Sequence, residues 1–163
     1  MQKETLSDFF AKYIKDTPEK SFVSDQKLVL CRLTLEVAKG IDLIESARAV
    51  YITSRCLKHL FDKKPAEEFL FILKHLREIV RYPDQIYLNF DEKRGEFCFI
   101  KKIGDSKYLC SIESEKEEIQ VATAFRLRDE NYIKKYTLLW DWGNGAPHRS
   151  ALDTPKESTS TPQ

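Results

Sequence analysis

The sequence has little glycine, with only 5 glycines in 163 residues. Nucleotide-binding loops depend on closely spaced glycines, so this scarcity argues against such a loop and against a glycine-punctuated repeat array. A charge imbalance is also missing, because 27 Lys and Arg offset 26 Asp and Glu to give a net charge of +1. Any surface that binds phosphates must therefore be a local patch rather than a property of the whole protein.

The chain has 4 cysteines but no CxxC pair, so neither a zinc site nor a dithiol redox site is indicated. All four lie in apolar or half-apolar stretches, which favours reduced core residues: Cys31, Cys56, Cys98 and Cys110. No apolar run is long enough to span a bilayer, and the first ten residues lack the apolar core of a secretion signal. We expect a cytoplasmic protein with no metal, no cofactor and no membrane association.

Apolar periodicity predicts that the first half of the chain is mainly helical. Apolar residues at helical spacing predict an N-terminal helix over 5–16, capped by Ser7 or Thr5. The other elements predicted in this half are a strand over 27–33, a helix from Thr34 to Gly40, a strand over 49–53, a helix over 55–63 capped by Ser54, and a long helix between Pro65 and Pro83. The length suits one domain, which we place at 1–142.

In the second half the hydrophobic period changes to two, which is typical of strands. Four β-rich runs, "IYLNF", "EFCFIKKI", "KYLCSIE" and "IQVATAFRL", are joined by short polar connections and predict a four-stranded antiparallel meander. The segment 128–140 fits either a final helix or a last strand, and 143–163 has the composition of a disordered tail. Helices followed by strands predict an α+β fold, with one sheet face under the helices and the other open to a ligand.

The order of these elements carries a family resemblance. A strand "VYIT" leads into "SRCLKHL", a long helix ends in "IVRYPDQIY", and the strands "FCFIKKI" and "VATAF" precede "YIKKY". This set, over about 23–136, resembles the phage-associated branch of the barnase–EndoU–colicin–RelE-like (BECR) nuclease superfamily. The resemblance implies a metal-independent endoribonuclease fold and a toxin or effector that acts on tRNA or mRNA. An antitoxin or immunity protein is the implied partner.

The resemblance also assigns catalytic residues, which are His59, Lys101, Lys102 and Thr123. Better-known members of the superfamily have a second histidine near the sheet, whereas here His75 lies in the long helix and His148 in the tail. The second proton-transfer role would then fall to a lysine, tyrosine or arginine.

The residues themselves leave alternatives open. His59 shares a helix face with Arg55 and Lys63, so neighbouring cations would favour its neutral form, a competent base, but a solvated histidine fits equally well. Lys101 and Lys102 point to opposite strand faces, and either can be a site residue or a solvated lysine.

Thr123 shares its strand parity with apolar residues, so it is either a core threonine or a site hydroxyl. Arg126 has the opposite parity, with Gln120, Ala122 and Ala124, and this stripe of small residues is a second candidate ligand surface.

Four further residues are candidates for substrate binding with Arg55: Arg77, Arg81, Tyr108 and Arg126. Arg77 and Arg81 can bind a phosphate or simply stabilise a helix C-terminus, and Tyr108 can stack on a base or belong to the core. The same scaffold can also serve as a catalytically inactive module that binds RNA or a protein. A small-molecule enzyme on another α+β fold has no motif in its favour.

Overall fold

The structure, a computed structural model, describes residues 4–43, 48–89, 96–115 and 118–141. Within these segments the chain forms five helices and seven strands. In chain order they are α1 (Leu6–Tyr13), β1 (Lys27–Arg32), α2 (Leu35–Gly40), β2 (Ala49–Thr53), α3 (Ser54–Lys63), α4 (Ala66–Arg81), β3 (Gln85–Leu88), β4 (Phe97–Ile103), β5 (Ser106–Glu115), β6 (Glu118–Leu127), α5 (Asn131–Lys134) and β7 (Thr137–Asp141).

All seven strands join one sheet in the order β1-β2-β6-β5-β4-β3-β7. The four predicted strands are β3 to β6, and each pairs antiparallel with the next, as expected. The sheet is larger than predicted, because β1 and β2 extend it on one side through a parallel pairing of β2 with β6, and β7 extends it beyond β3. The α+β class is confirmed, and the sheet is mixed rather than purely antiparallel. The segment left open as helix or strand contains both α5 and β7.

The two sheet faces are covered differently. The inner face packs against α1, α3 and α4 and holds the larger cluster of buried side chains, which includes Phe97, Phe99, Cys110, Ile112 and Val121. The outer face holds a smaller cluster around α5, formed by Cys98, Ile100, Leu109, Leu127, Ile133 and Tyr136.

A β-bulge at Ala122 changes which face the second half of β6 presents. Thr123 pairs with Ser111 while Val121 pairs with Ile112, so Ala122 is an extra residue in β6. The prediction that Thr123 and Val121 point to the same face of the sheet is therefore wrong, and Thr123 lies on the outer face. The bulge also interrupts the predicted stripe of small residues that included Arg126. Arg126 therefore lies on the inner face, the same face as Val121.

Two helix starts refine the predictions. Thr5 caps α1 in a reciprocal capping box with Asp8, and the helix is shorter than the predicted 5–16. Thr53, not Ser54, caps α3, with its hydroxyl accepting from the Cys56 amide. The Ser54 hydroxyl instead donates to the Ser24 carbonyl and accepts from the Gln26 amide, which fixes the segment before β1.

Gly40 lies in α2 where the helix meets the last strand. A side chain at this position would collide with the indole ring of Trp140 in β7. The predicted end of this helix at Gly40 is confirmed, and the close approach of the ring explains why the residue has no side chain. The contact ties the region after β1 to the opposite edge of the sheet.

The cysteines are free thiols, and Cys31, Cys98 and Cys110 are buried as expected. Burial raises the pKa of Cys31 to about 11 and that of Cys98 to about 12, so both thiols are protonated at neutral pH. Among the described residues, no helix is long and apolar enough to cross a membrane. The predicted disordered tail, 143–163, lies outside the described residues.

Candidate active site

Helix α3 presents two adjacent charged sides. Leu57 and Leu60 are fully buried against the core, and the exposed side carries Arg55, His59 and Lys63, which are spaced by four residues as predicted. His59 is thus exposed on a helix that is firmly anchored by its opposite side.

The other charged side of α3 is buried. The Lys58 ammonium, in a residue only 5% exposed, donates to Asp62 Oδ1 at 2.9 Å, Thr17 Oγ1 at 2.9 Å and the Pro18 carbonyl at 2.6 Å. The backbone amide of Lys20 donates to the other Asp62 oxygen at 2.9 Å. Burial alone would raise the pKa of Asp62, but these hydrogen bonds outweigh it and hold the pKa below its usual value. This network fixes the connection after α1 to α3.

One side chain near the start of α3 and one just after its end contact the second half of β6. Cys56 Sγ lies 3.7 Å from the Ala122 carbonyl oxygen, and Lys64 Nζ lies 5.3 Å from the centre of the Phe125 ring. Eight helical residues rise about 12 Å and three strand residues about 10 Å, so helix and strand run alongside each other in the same direction. His59 lies between the two contacts on the helix, and Thr123 lies between them on the strand.

Thr123 lies on the outer face, where β2 no longer pairs with β6. The parallel pairing of these strands covers only Val50–Ile119 and Tyr51–Gln120, and the chain then leaves the sheet to form α3. The second half of β6 is therefore bordered by α3 instead of a strand. Thr123 is half-buried, which leaves part of its side chain accessible beside the helix.

Aromatic rings extend this surface along β6. Phe125, on the same face as Thr123, meets Tyr132 of α5 edge to face at 5.5 Å between ring centres. Tyr132 is 46% exposed. The Lys64 ammonium lies over the ring of Phe125, the other member of this aromatic pair. We call His59, Lys64, Thr123, Phe125 and Tyr132 the α3–β6 surface. It combines a titratable ring, a cation, a hydroxyl and aromatic faces.

Three other candidates form a cross-strand row on the inner face. Lys101 pairs with Tyr108, and Tyr108 pairs with Arg126. Helix α4 covers this row: Phe71 stacks on the Tyr108 ring at 4.6 Å, and Tyr108 is only 7% exposed.

The ends of the row are also bonded to α4 and its C-terminus. Lys101 Nζ donates to the Tyr82 carbonyl at 2.8 Å, and the Arg126 amide donates to Glu68 Oε2 at 3.1 Å. Burial would raise the pKa of Glu68, but the Arg128 guanidinium at 2.6 Å and the Arg126 amide hold it below its usual value. In this arrangement Lys101, Tyr108 and Arg126 hold α4 on the sheet.

Lys102 lies on the outer face but farther along the sheet. It pairs with Lys107, which pairs with Leu127, four residues beyond Thr123 in β6. That separation is about 13 Å along the strand. The Lys102 side chain is exposed, and its backbone amide donates to Asp84 Oδ2 at 2.8 Å. The structure therefore places α3 beside the half of β6 that carries Thr123 and leaves both lysines of β4 away from it.

Arg77 and Arg81 line a different region, an open cleft of about 1240 Å³ between α4 and β1. The Arg81 guanidinium donates to the Arg32 carbonyl at the end of β1. His75 does not reach this cleft; its ring stacks on Phe71 at 4.3 Å, and Nδ1 lies 3.1 Å from Glu78 Oε1. These contacts agree with the structural role expected for His75.

The described residues contain no group of three or more His, Cys, Asp or Glu side chains suited to hold a metal ion. Lys64 and Phe125 are the members of the α3–β6 surface that sequence reasoning missed. Phe125 was assigned to the apolar stripe of its strand, and Lys64 stood just before the proline that opens α4. Neither residue could be identified from its neighbours in the sequence, because the contact between them depends on how the chain turns from β2 into α3.

The family follows from a sequence comparison. A family model described as phage-Barnase-EndoU-ColicinE5/D-RelE like nuclease3 matches residues 30–135, about two thirds of the chain. The chain belongs to this family of phage-associated BECR-like nucleases, and the resemblance seen in the sequence is confirmed. No curated protein and no solved structure matches the chain. The family match does not assign roles to individual residues.

Proposed function

We propose that the protein is an endoribonuclease of the BECR type and that the α3–β6 surface is its active site. The observation that carries this proposal is the pair of contacts, Cys56 with Ala122 and Lys64 with Phe125, on either side of His59 and Thr123. They support the closeness of a titratable ring and a hydroxyl at the part of β6 that no longer pairs with β2. We also propose a toxin or effector role against cellular RNA, which the membership in a phage-associated nuclease family supports.

The reaction is an internal transesterification. His59 takes the proton of a ribose 2′-hydroxyl, whose oxygen attacks the adjacent phosphorus, and the bond from phosphorus to the 5′-oxygen breaks. The departing oxygen takes a proton from Tyr132 or from water. The products are a 2′,3′-cyclic phosphate and a 5′-hydroxyl, and no side chain is consumed. Histidine suits the first step because its unperturbed pKa of about 6.5 lies near neutral pH.

The remaining groups bind the substrate. Lys64 and the Thr123 hydroxyl stabilise the charge that develops on the phosphate oxygens, Lys64 as a cation and Thr123 as a hydrogen-bond donor. Tyr132 offers an exposed ring on which a base can stack. Arg55 beside His59 contacts a phosphate next to the cleaved one, and Lys102, farther along the outer face, contacts the RNA backbone several nucleotides away.

The test uses end-labelled RNA. Purified protein with tRNA and mRNA fragments, in excess chelator, should yield fragments that end in a 2′,3′-cyclic phosphate. His59→Ala should abolish cleavage, and His75→Gln, which alters a histidine on the inner face, should retain it. Cleavage that survives His59→Ala, or that requires an added divalent cation, would contradict the mechanism.

The α3–β6 surface contains a single histidine, which gives a specific reason to consider an inactive RNA-binding protein as the alternative. A protein that binds RNA without cutting it would show salt-sensitive binding and intact RNA at high protein concentration. That result would assign the α3–β6 surface to an inactive binding module. Expression in a bacterial host separates the two readings further, because the nuclease should slow growth and the His59→Ala variant should not.

A further inference from the structure

Strand β1 is an edge of the sheet, with β2 on one side and no strand on the other among the described residues. The Ser54 amide donates to the Gln26 carbonyl, so the antiparallel alternation directs the N–H and C=O of Lys27 and Val29 away from β2. At the end of the strand, the Arg81 guanidinium satisfies the Arg32 carbonyl. The edge therefore offers backbone groups to a partner, and one of them already binds a side chain.

The cleft beside this edge is lined by both apolar and basic side chains. Its apolar lining includes Val29 and Leu70, which are 49% and 57% exposed and are unusually open for large aliphatic side chains. The charged residues that line it are Glu4, Lys27, Arg32, Lys74, Arg77 and Arg81.

Most of these cations are available for a ligand. Lys27 is neutralised by Glu118 at 2.9 Å, and Arg81 binds the Arg32 carbonyl. Arg32, Lys74 and Arg77 are exposed and make no ion pair within the described part of the chain. The cleft therefore keeps a net positive charge, because Glu4 is the one acidic residue among its described lining residues.

We propose that β1 binds an extended acidic peptide segment of a partner protein, which adds as a strand to this edge. Its backbone pairs with the outward groups of β1. Because strand side chains alternate, its carboxylates face α4 and meet Lys74 and Arg77, and its apolar side chains face the outer side of the sheet and contact Val29. The site is separate from the α3–β6 surface, because no residue of α3 lines the cleft. The proposal therefore does not depend on the proposed nuclease activity.

The chemistry of the cleft favours this occupant over two others. A second copy of the chain would bring Arg32, Lys74 and Arg77 of both copies together, and like charges oppose that association. RNA would use the cations but not the strand edge or the exposed aliphatic side chains. A peptide strand uses all three features.

The test is a fluorescence anisotropy titration of the full chain with a labelled peptide of about nine residues in which glutamate and valine alternate. Saturable binding is expected, and a Lys74→Glu/Arg77→Glu double variant should weaken it by about tenfold or more. Lys15→Glu/Lys134→Glu, the matched control, removes two exposed lysines outside the cleft and should leave binding unchanged. Methylation of the peptide's alternate backbone nitrogens, on the edge that faces β1, should abolish binding.

Three outcomes would overturn the proposal. Binding that the cleft variant and its control weaken equally would indicate general electrostatic attraction. A short oligouridylate that binds more tightly than the peptide, and loses affinity in the cleft variant, would make the cleft a nucleic-acid groove. A dimer that the cleft variant dissociates would assign this edge to a second copy. Loss of nuclease activity in the His59→Ala variant would affect none of these measurements.

Discussion

The two charged sides of α3 differ in what surrounds them. Lys58 and His59 are neighbours in sequence, yet the Lys58 ammonium is enclosed by Asp62, Thr17 and Pro18, whereas His59 faces outward between Arg55 and Lys63. A buried cation with three oxygen partners holds structure together, whereas under the proposed function the exposed ring acts on a substrate. Charge on a helix therefore indicates function only after its neighbours are known.

The largest expected effect is on the exposed side. His59→Gln should reduce RNA cleavage by about 10²- to 10⁴-fold, because the general base is lost. The thermal unfolding temperature should stay unchanged, since the side chain is exposed. A time course on labelled RNA and a circular dichroism melt measure both quantities. If the variant lost stability in proportion to its loss of activity, His59 would have a structural role rather than a catalytic one.

The buried side should show the reverse pattern. Asp62→Asn removes the carboxylate from Lys58 and leaves a buried ammonium without its counter-ion, which should cost about 3 kcal/mol of unfolding free energy. Urea unfolding measures this value, and Glu67→Gln, an exposed acid at the start of α4, is the control. Cleavage per folded molecule should be retained. If Asp62→Asn is as stable as the wild type, the Lys58 network does not anchor α3.

The pH dependence of this pair has a defined direction. The folded state holds the pKa of Asp62 below its usual value, so the stabilisation is fully present above the unfolded pKa of about 3.9 and is lost as pH falls through the folded pKa. The stability difference between wild type and Asp62→Asn should therefore be constant near neutral pH and shrink in acid. Urea titrations at several pH values test this. A difference that grows in acid would contradict the assignment.

A smaller effect is expected at the strand beside His59. Thr123→Val keeps the side-chain shape but removes the hydroxyl, and the loss of one hydrogen bond to a charged phosphate should lower kcat/KM by about ten- to a hundredfold. Thr137→Val in β7 is the matched control and should have no effect on cleavage. Equal activity of the two variants would assign Thr123 to packing alone.

The smallest effect concerns the helix cap. Thr53→Ala removes the acceptor of the Cys56 amide and should cost about 1 kcal/mol of stability. Because α3 carries both charged sides, its start affects the position of His59 as well, and a modest fall in activity should accompany the loss. Chemical denaturation and the cleavage assay measure both. A variant with wild-type stability would show that Ser54 or the backbone alone caps the helix.

Local patterns in the sequence predicted the helices and the four central strands, because caps, prolines and the change of period act over a few residues. They did not predict the bulge at Ala122, which depends on the pairing of β6 with β5 and reverses the face of Thr123 relative to Val121. The exposed histidine face of α3 followed from a spacing of four. The burial of Lys58 did not, since its partners Thr17 and Pro18 lie about forty residues away in sequence.

The contact between Gly40 and Trp140 has a consequence for how the protein is made. The two residues are a hundred positions apart, so the indole can reach α2 only after nearly all of the described chain has left the ribosome. Contacts of such long range form late and slow the assembly of a sheet. During synthesis, α2 would therefore lack this ring contact until β7 has emerged, and the packing of α2 on β7 would be among the last contacts to form.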